Sequence, residues 1–176
     1  GADGVLGAGT RVDASVCDCC QTAMATTPDG LVAAFRDRTV DEVRDIYVAR
    51  YVDGAWTEGQ PVHEDGWVID ACPVNGPAIA ADGDTVAVAW FTAAGDTSRS
   101  YVAFSGDGGT TFGPPVRLDD GRPMGRVDAV AVAGGFLGSW LERTEDGAEV
   151  RVRRVGPEGV GSSMTVAGAA AERATG

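Results

Sequence analysis

Three of the four cysteines fall within four residues, Cys17-Asp18-Cys19-Cys20, and the fourth, Cys72, stands in Ala71-Cys72-Pro73-Val74-Asn75-Gly76-Pro77. Thiolates are soft ligands, and this set could hold Zn(II) or Cu(I), with the single histidine, His63, as an auxiliary ligand. The same residues can instead be oxidised. Four cysteines allow three pairings, and bridges from Cys19 to Cys20 or from Cys17 to Cys19 close only strained rings, which points to a bond from Cys72 to one of the three. Closing a loop of about 52 residues would constrain the unfolded chain by ~4 kcal/mol in the entropy treatment. Free thiols are the third state. C-x-C-C is not zinc-ribbon spacing and no second C-x2-C follows, so the expectation is a disulfide and no cofactor, with Zn or Cu at the cluster as the alternative. A disulfide implies an oxidising compartment, and the expected location is extracytoplasmic, periplasmic or secreted, in a bacterium.

Other candidates are polar or aromatic. The loop from His63 to Pro77 is long for a connection and carries Trp67, Asp70 and Asn75, and long loops on rigid supports carry function more often than their share. Trp67 could stack on a sugar with Asp70 and Asn75 as hydroxyl partners. The structural alternative makes Trp67 a cap between sheets and Asn75-Gly76-Pro77 a turn. Arg44 and Arg126 lead into apolar runs and are expected either to bind substrate or to form strand-end ion pairs.

The elements that must position these residues repeat along the chain. Three hairpins follow one plan, turning at Asp29-Gly30, Asp82-Gly83 and Gly134-Gly135, with Gly30, Gly83 and Gly135 spaced 53 and 52 residues apart. Downstream of each, IYVARYV, SYVAFS and EVRVRRV lead to further glycine turns, and a short segment follows (EGQPV, PPVRL, SSMTVAG). Alternation such as Val86, Val88 and Trp90 turns one side of each run toward apolar neighbours. Four strands per unit of about 50 residues predict an all-β chain of four-stranded antiparallel propeller blades: an N-terminal segment 1–20 with the cysteine cluster, then blades over 21–76, 77–126 and 127–176. Helical periodicity is nearly absent, and a two-sheet sandwich is the alternative.

Within the second unit, Ser105-Gly106-Asp107-Gly108-Gly109-Thr110-Thr111-Phe112 fits S-x-D-x-G-x-T-[WF] at every fixed position. It resembles the Asp box, or BNR repeat, of the sialidase superfamily, with Ser105, Asp107, Gly109, Thr111 and Phe112 in the motif positions. Val52-Asp53-Gly54-Ala55-Trp56 looks like a reduced copy. The resemblance implies a six-bladed ring, of which three units are half. It therefore implies the N-terminal half of a longer chain, or association that covers open blade faces. It also implies glycan-directed exo-sialidase or glycoside hydrolase ancestry, with Asp107 structural. A family ligand arginine sits in [YF]-R-[IL]-P; Phe35-Arg36-Asp37-Arg38 keeps only the first two positions, leaving Arg36 and Asp37 as catalytic candidates on a fraction of the motif. Arginine forks suit planar carboxylates.

Composition narrows the partners. The 176 residues carry 14 basic and 26 acidic side chains, a net charge of −12, which repels phosphate backbones and excludes nucleic acid as a favoured partner. No run approaches the ~20 apolar residues of a membrane helix. The expected function is a secreted sialidase-like propeller that binds a glycan or small carbohydrate, its active site incomplete over these residues. The alternative is a non-catalytic binding or assembly scaffold with a cysteine-based metal site.

Overall fold

A computed structural model describes residues 8–170 of the chain, so the expected N-terminal segment and third unit each extend outside the described residues. Fourteen strands and one short 3-10 turn, Ala94–Asp96, make up its regular structure. The first sheet contains β1 (Ala23–Thr27), β2 (Gly30–Arg36), β3 (Ile46–Val52), β4 (Ala55–Trp56) and β5 (Gln60–His63). The second has β6 (Ala78–Asp82), β7 (Thr85–Thr92), β8 (Arg99–Ser105) and β9 (Val116–Arg117). The third has β10 (Pro123–Val132), β11 (Gly135–Arg143), β12 (Gly147–Gly156), β13 (Gly159–Val160) and β14 (Met164–Ala170). Every pairing is antiparallel and runs in chain order, first strand to second to third. In the first and third sheets the last position is shared by two strands on the same edge of the third strand.

Side-chain alternation explains the layering. In the middle sheet, Ile79, Val86, Val88, Trp90 and Ala103 join Val32, Ala34, Ile46, Val48 and Val62 of the first sheet in one apolar cluster. Their neighbours one residue along, Ala78, Ala80, Ala87, Ala89, Val102 and Phe104, join Val127, Phe136, Trp140 and Val155 of the third. Period-2 apolar residues on both faces thus bury the middle sheet between the other two. The first strands of the sheets, β1, β6 and β10, lie beside one another. Trp90 and Trp140, fully buried, each donate an indole N–H to a carboxylate, Asp65 and Glu142 respectively, both at 2.6 Å. That meets the rule that a buried tryptophan finds a polar partner.

The third sheet begins at Pro123, four residues before the expected start at Val127. The pairing of β10 with β11 shifts register between Pro123 and Gly125 and again between Gly125 and Asp128. Gly125 (φ 85°) and Arg126 (φ 55°) form a bulge that lets the strand resume upstream. Among the described residues, no helix is long and apolar enough to cross a membrane.

Candidate functional site

The cysteines converge at the foot of the first sheet. Cys17 donates its backbone N–H to the Arg36 carbonyl at 2.9 Å, and Val16 bridges Asp37, so the N-terminal segment is laid across the end of β2. A tight turn follows, with the Cys20 amide reaching the Cys17 carbonyl. The Cys72–Gly76 loop is fastened to this turn twice. Cys19 and Cys72 form a disulfide, and Gln21 pairs with Gly76 in both directions, donating from Nε2 at 3.1 Å and accepting at Oε1 at 2.8 Å. The approach requires glycine at 76, since a Cβ there would lie 1.9 Å from the Gln21 carbonyl oxygen.

Cys17 and Cys20 are free thiols. Their Sγ atoms lie 2.7 Å apart, and Cys17 Sγ is 3.6 Å from Cys19 Sγ. Arg44, buried and ion-paired with Glu42, points Nη1 at Cys17 Sγ from 3.5 Å. Burial, and then the adjacent Cys17, push the Cys20 thiol up to about 11 against an opposing pull from the Asn75 backbone. Three sulfurs, those of Cys17, Cys19 and Cys20, lie within 4.8 Å of one another. On the outer side, Cys19 and the exposed Cys72 line a 180 Å³ pocket with Asp18, Arg38, Arg44, Asp70 and Ala71.

The arginine and aromatic candidates take structural positions around this cluster. Arg36 is 1% exposed and donates to three backbone carbonyls, those of Asn75 (2.8 Å), Phe91 (2.6 Å) and Arg44. Its guanidinium carbon lies 4.9 Å from the Trp67 ring centroid. Trp67 is 7% exposed, with its edge against Phe91 and its amide on Asp45. Asp37 is buried too, and burial raises its pKa. Asn75 spends its side chain inside the protein, donating to Pro73 O at 3.1 Å and accepting the Arg126 amide at 3.0 Å. Arg126 is exposed and donates from Nη1 to Val74 O. Asp70 faces solvent in the pocket beside the disulfide. His63 is exposed, 3.9 Å from Asp65 and beside the Trp90 ring. The structure thus brings Arg36, Arg44, Asn75 and Trp67 together with the cysteines, while His63 and the Asp box stand apart from the sulfur cluster.

The Asp box forms a closed turn after β8. The Asp107 carboxylate accepts from Ser105 Oγ (2.7 Å), Thr111 Oγ1 (2.7 Å), and the amides of Thr110 (3.1 Å) and Thr111 (2.9 Å). Ser105 Oγ in turn accepts the Gly109 amide at 2.8 Å. These donors, the Thr111 hydroxyl foremost, hold Asp107 at about 2. Phe112 packs on the cluster shared by the first two sheets.

The one C-x2-C spacing in the sequence joins the two thiols that the disulfide leaves free. Cys17 and Cys20 have C-x-x-C spacing nested inside C-x-C-C, a separation that suits both two-thiolate metal binding and a dithiol–disulfide couple. No family model and no curated protein matches this chain.

Proposed function

We propose that the chain is a blade array of a sialidase-like β-propeller that works as a non-catalytic binding scaffold in an oxidising compartment, and that its site is the sulfur cluster, where Cys17 and Cys20 hold Cu(I). The observation that carries this is that Cys17 and Cys20 are free thiols in one sulfur cluster beside a disulfide. With Cys19 committed to Cys72, two thiolates remain; soft thiolates favour Cu(I), whereas a structural Zn(II) site takes four ligands. A chain with net charge −12 also attracts cations.

Five features support the propeller. The sheets share one four-position plan, their first strands adjoin, and the middle sheet is covered on both sides. The Asp107 turn has the hydrogen bonding that its motif resemblance implies. The outer sheet faces also carry exposed apolar residues: Met24 on one, and Val130, Val150, Met164 and Val166 on the other. Soluble proteins cover such faces with more protein, and in a ring the neighbouring blades do so. The glycan-directed hydrolase reading draws less from the site, because Arg36, Asp37 and Trp67 are all buried and the Arg36 donors end on carbonyls.

The test is a Cu(I) titration against a chromogenic chelator, with ascorbate as reductant so that the disulfide is left intact. One Cu(I) per chain in the wild type, lost in Cys17→Ser and in Cys20→Ser, supports the proposal. No binding, accompanied by turnover of sialosides, would return the chain to the hydrolases.

A further inference from the structure

The disulfide stands between the outer pocket and the buried Cys17 thiol, while Cys20 is half-buried. Cys72 is exposed and lines the pocket with Cys19, whereas Cys17 is buried and reaches Cys19 from the inner side at 3.6 Å. Cys20 is 2.7 Å further on. The four sulfurs therefore form one line of exchange distances, Cys20 to Cys17 to Cys19 to Cys72. A structural disulfide needs no dithiol within contact of one of its sulfurs, and Arg44 sets a cationic donor against the sulfur that would attack.

We infer that the cluster is a thiol–disulfide relay, in which the Cys17–Cys20 dithiol, through its buried Cys17, reduces a low-molecular-weight disulfide that docks at the Cys19–Cys72 pocket. The inference rests on the reading of the sulfur cluster as the functional site and adds an activity to it. Cys17 thiolate attacks Cys19 Sγ; the 17–19 bond forms, the 19–72 bond breaks, and the electron pair leaves on Cys72. Cys20 thiolate then attacks Cys17 Sγ, closing the 17–20 bond and releasing Cys19 as thiolate. The strain of a bridge between residues two apart favours this second step. Cys72 thiolate attacks the external disulfide and expels one thiolate. Cys19 thiolate attacks Cys72 Sγ, expels the second, and restores the 19–72 bond. In sum two protein thiols are oxidised and one external disulfide becomes two thiols, which take up the protons of Cys17 and Cys20. The oxidised pair has no thiolate left for Cu(I), so the relay also sets when the metal site is open.

The experiment uses the chain with Cys19–Cys72 intact, metal-free and anaerobic, mixed with glutathione disulfide, quenched in acid, alkylated and mapped by mass spectrometry. The expected result is a Cys17–Cys20 disulfide, two glutathione thiols released per chain, and Cys19–Cys72 retained. The double variant Cys19→Ser/Cys72→Ser should oxidise its Cys17–Cys20 pair at least tenfold more slowly. In Cys20→Ser the relay stalls, and Cys72 becomes alkylatable in the folded protein; this readout remains if the double variant does not fold. Oxidation of the double variant at the wild-type rate, no Cys17–Cys20 bond in the wild type, or a Cys72 that is never alkylated in Cys20→Ser would each overturn the relay. Cu(I) binding retained alongside any of these leaves the metal site standing without the relay, whereas loss of both removes the site itself.

Discussion

The side-chain oxygen of Asn75 accepts the backbone amide of Arg126 at 3.0 Å, and so ties the loop that carries Cys72 to the first strand of the third sheet. Through its carbonyl the same residue accepts from Arg36 Nε at 2.8 Å. The sulfur loop is thereby fixed to two sheets at once. Gly125 makes room for it: its φ is 85°, and a Cβ there would fall 2.1 Å from Asn75 Oδ1. Gly125→Ala should therefore destabilise the chain by about 1–3 kcal/mol, from left-handed backbone strain plus displacement of Asn75. Urea unfolding checks this; an unchanged midpoint would show that the bulge adapts freely.

Arg36→Ala should cost about 3–5 kcal/mol, because it strands the carbonyls of Asn75, Phe91 and Arg44 without donors in a buried site. A substrate-binding arginine on an open face would give near-normal stability instead. Thermal and urea denaturation of the variant separate the two roles.

Removing the Cys19–Cys72 bridge by Cys72→Ser should lower stability by about 2–4 kcal/mol, as expected for a cross-link spanning 53 residues. Because the Gln21–Gly76 pair holds the same two segments together, the fold should survive. Circular dichroism with urea titration reads both outcomes, and a wild-type midpoint in the variant would mean that the bridge adds nothing to the staple.

Asp107 gives a pH signature of definite sign. Its folded pKa of about 2 lies below the 3.8 of an ordinary aspartate, so its contribution is complete above the unfolded value and fades as pH falls from about 4 toward 2. Asp107→Asn keeps the shape and removes the titration. The stability gap between wild type and variant should be constant above pH 4 and narrow below it; a gap that does not change down to pH 2 would contradict the bonding described for the turn.

The repeat was legible because each turn demands glycine at a fixed place, as at Gly30, Gly83 and Gly135, and because apolar alternation on both faces marks the middle sheet. The start of β10 was not, since a bulge at Gly125 and Arg126 conceals the continuity of the strand from a period-2 reading. The cysteines were legible as a cluster, and a bond from Cys72 to one of the three was expected. Which one depends on how the turn after Cys17 presents its sulfurs, a matter of backbone direction that spacing does not encode. The role of Arg36 was hidden for a stronger reason. Its three acceptors come from residues 8, 39 and 55 positions away, and only the packed first and second sheets assemble them. Motif comparison assigns such an arginine a ligand; the tertiary structure gives it carbonyls.

The proposed Cu(I) site at Cys17 and Cys20 can be read without a reporter by X-ray absorption at the copper edge of the Cu(I)-loaded chain. The expected spectrum shows a first shell of sulfur alone, two scatterers per copper, that disappears in Cys17→Ser/Cys20→Ser. A shell of nitrogen and oxygen, or a sulfur shell unchanged in that double variant, would contradict it.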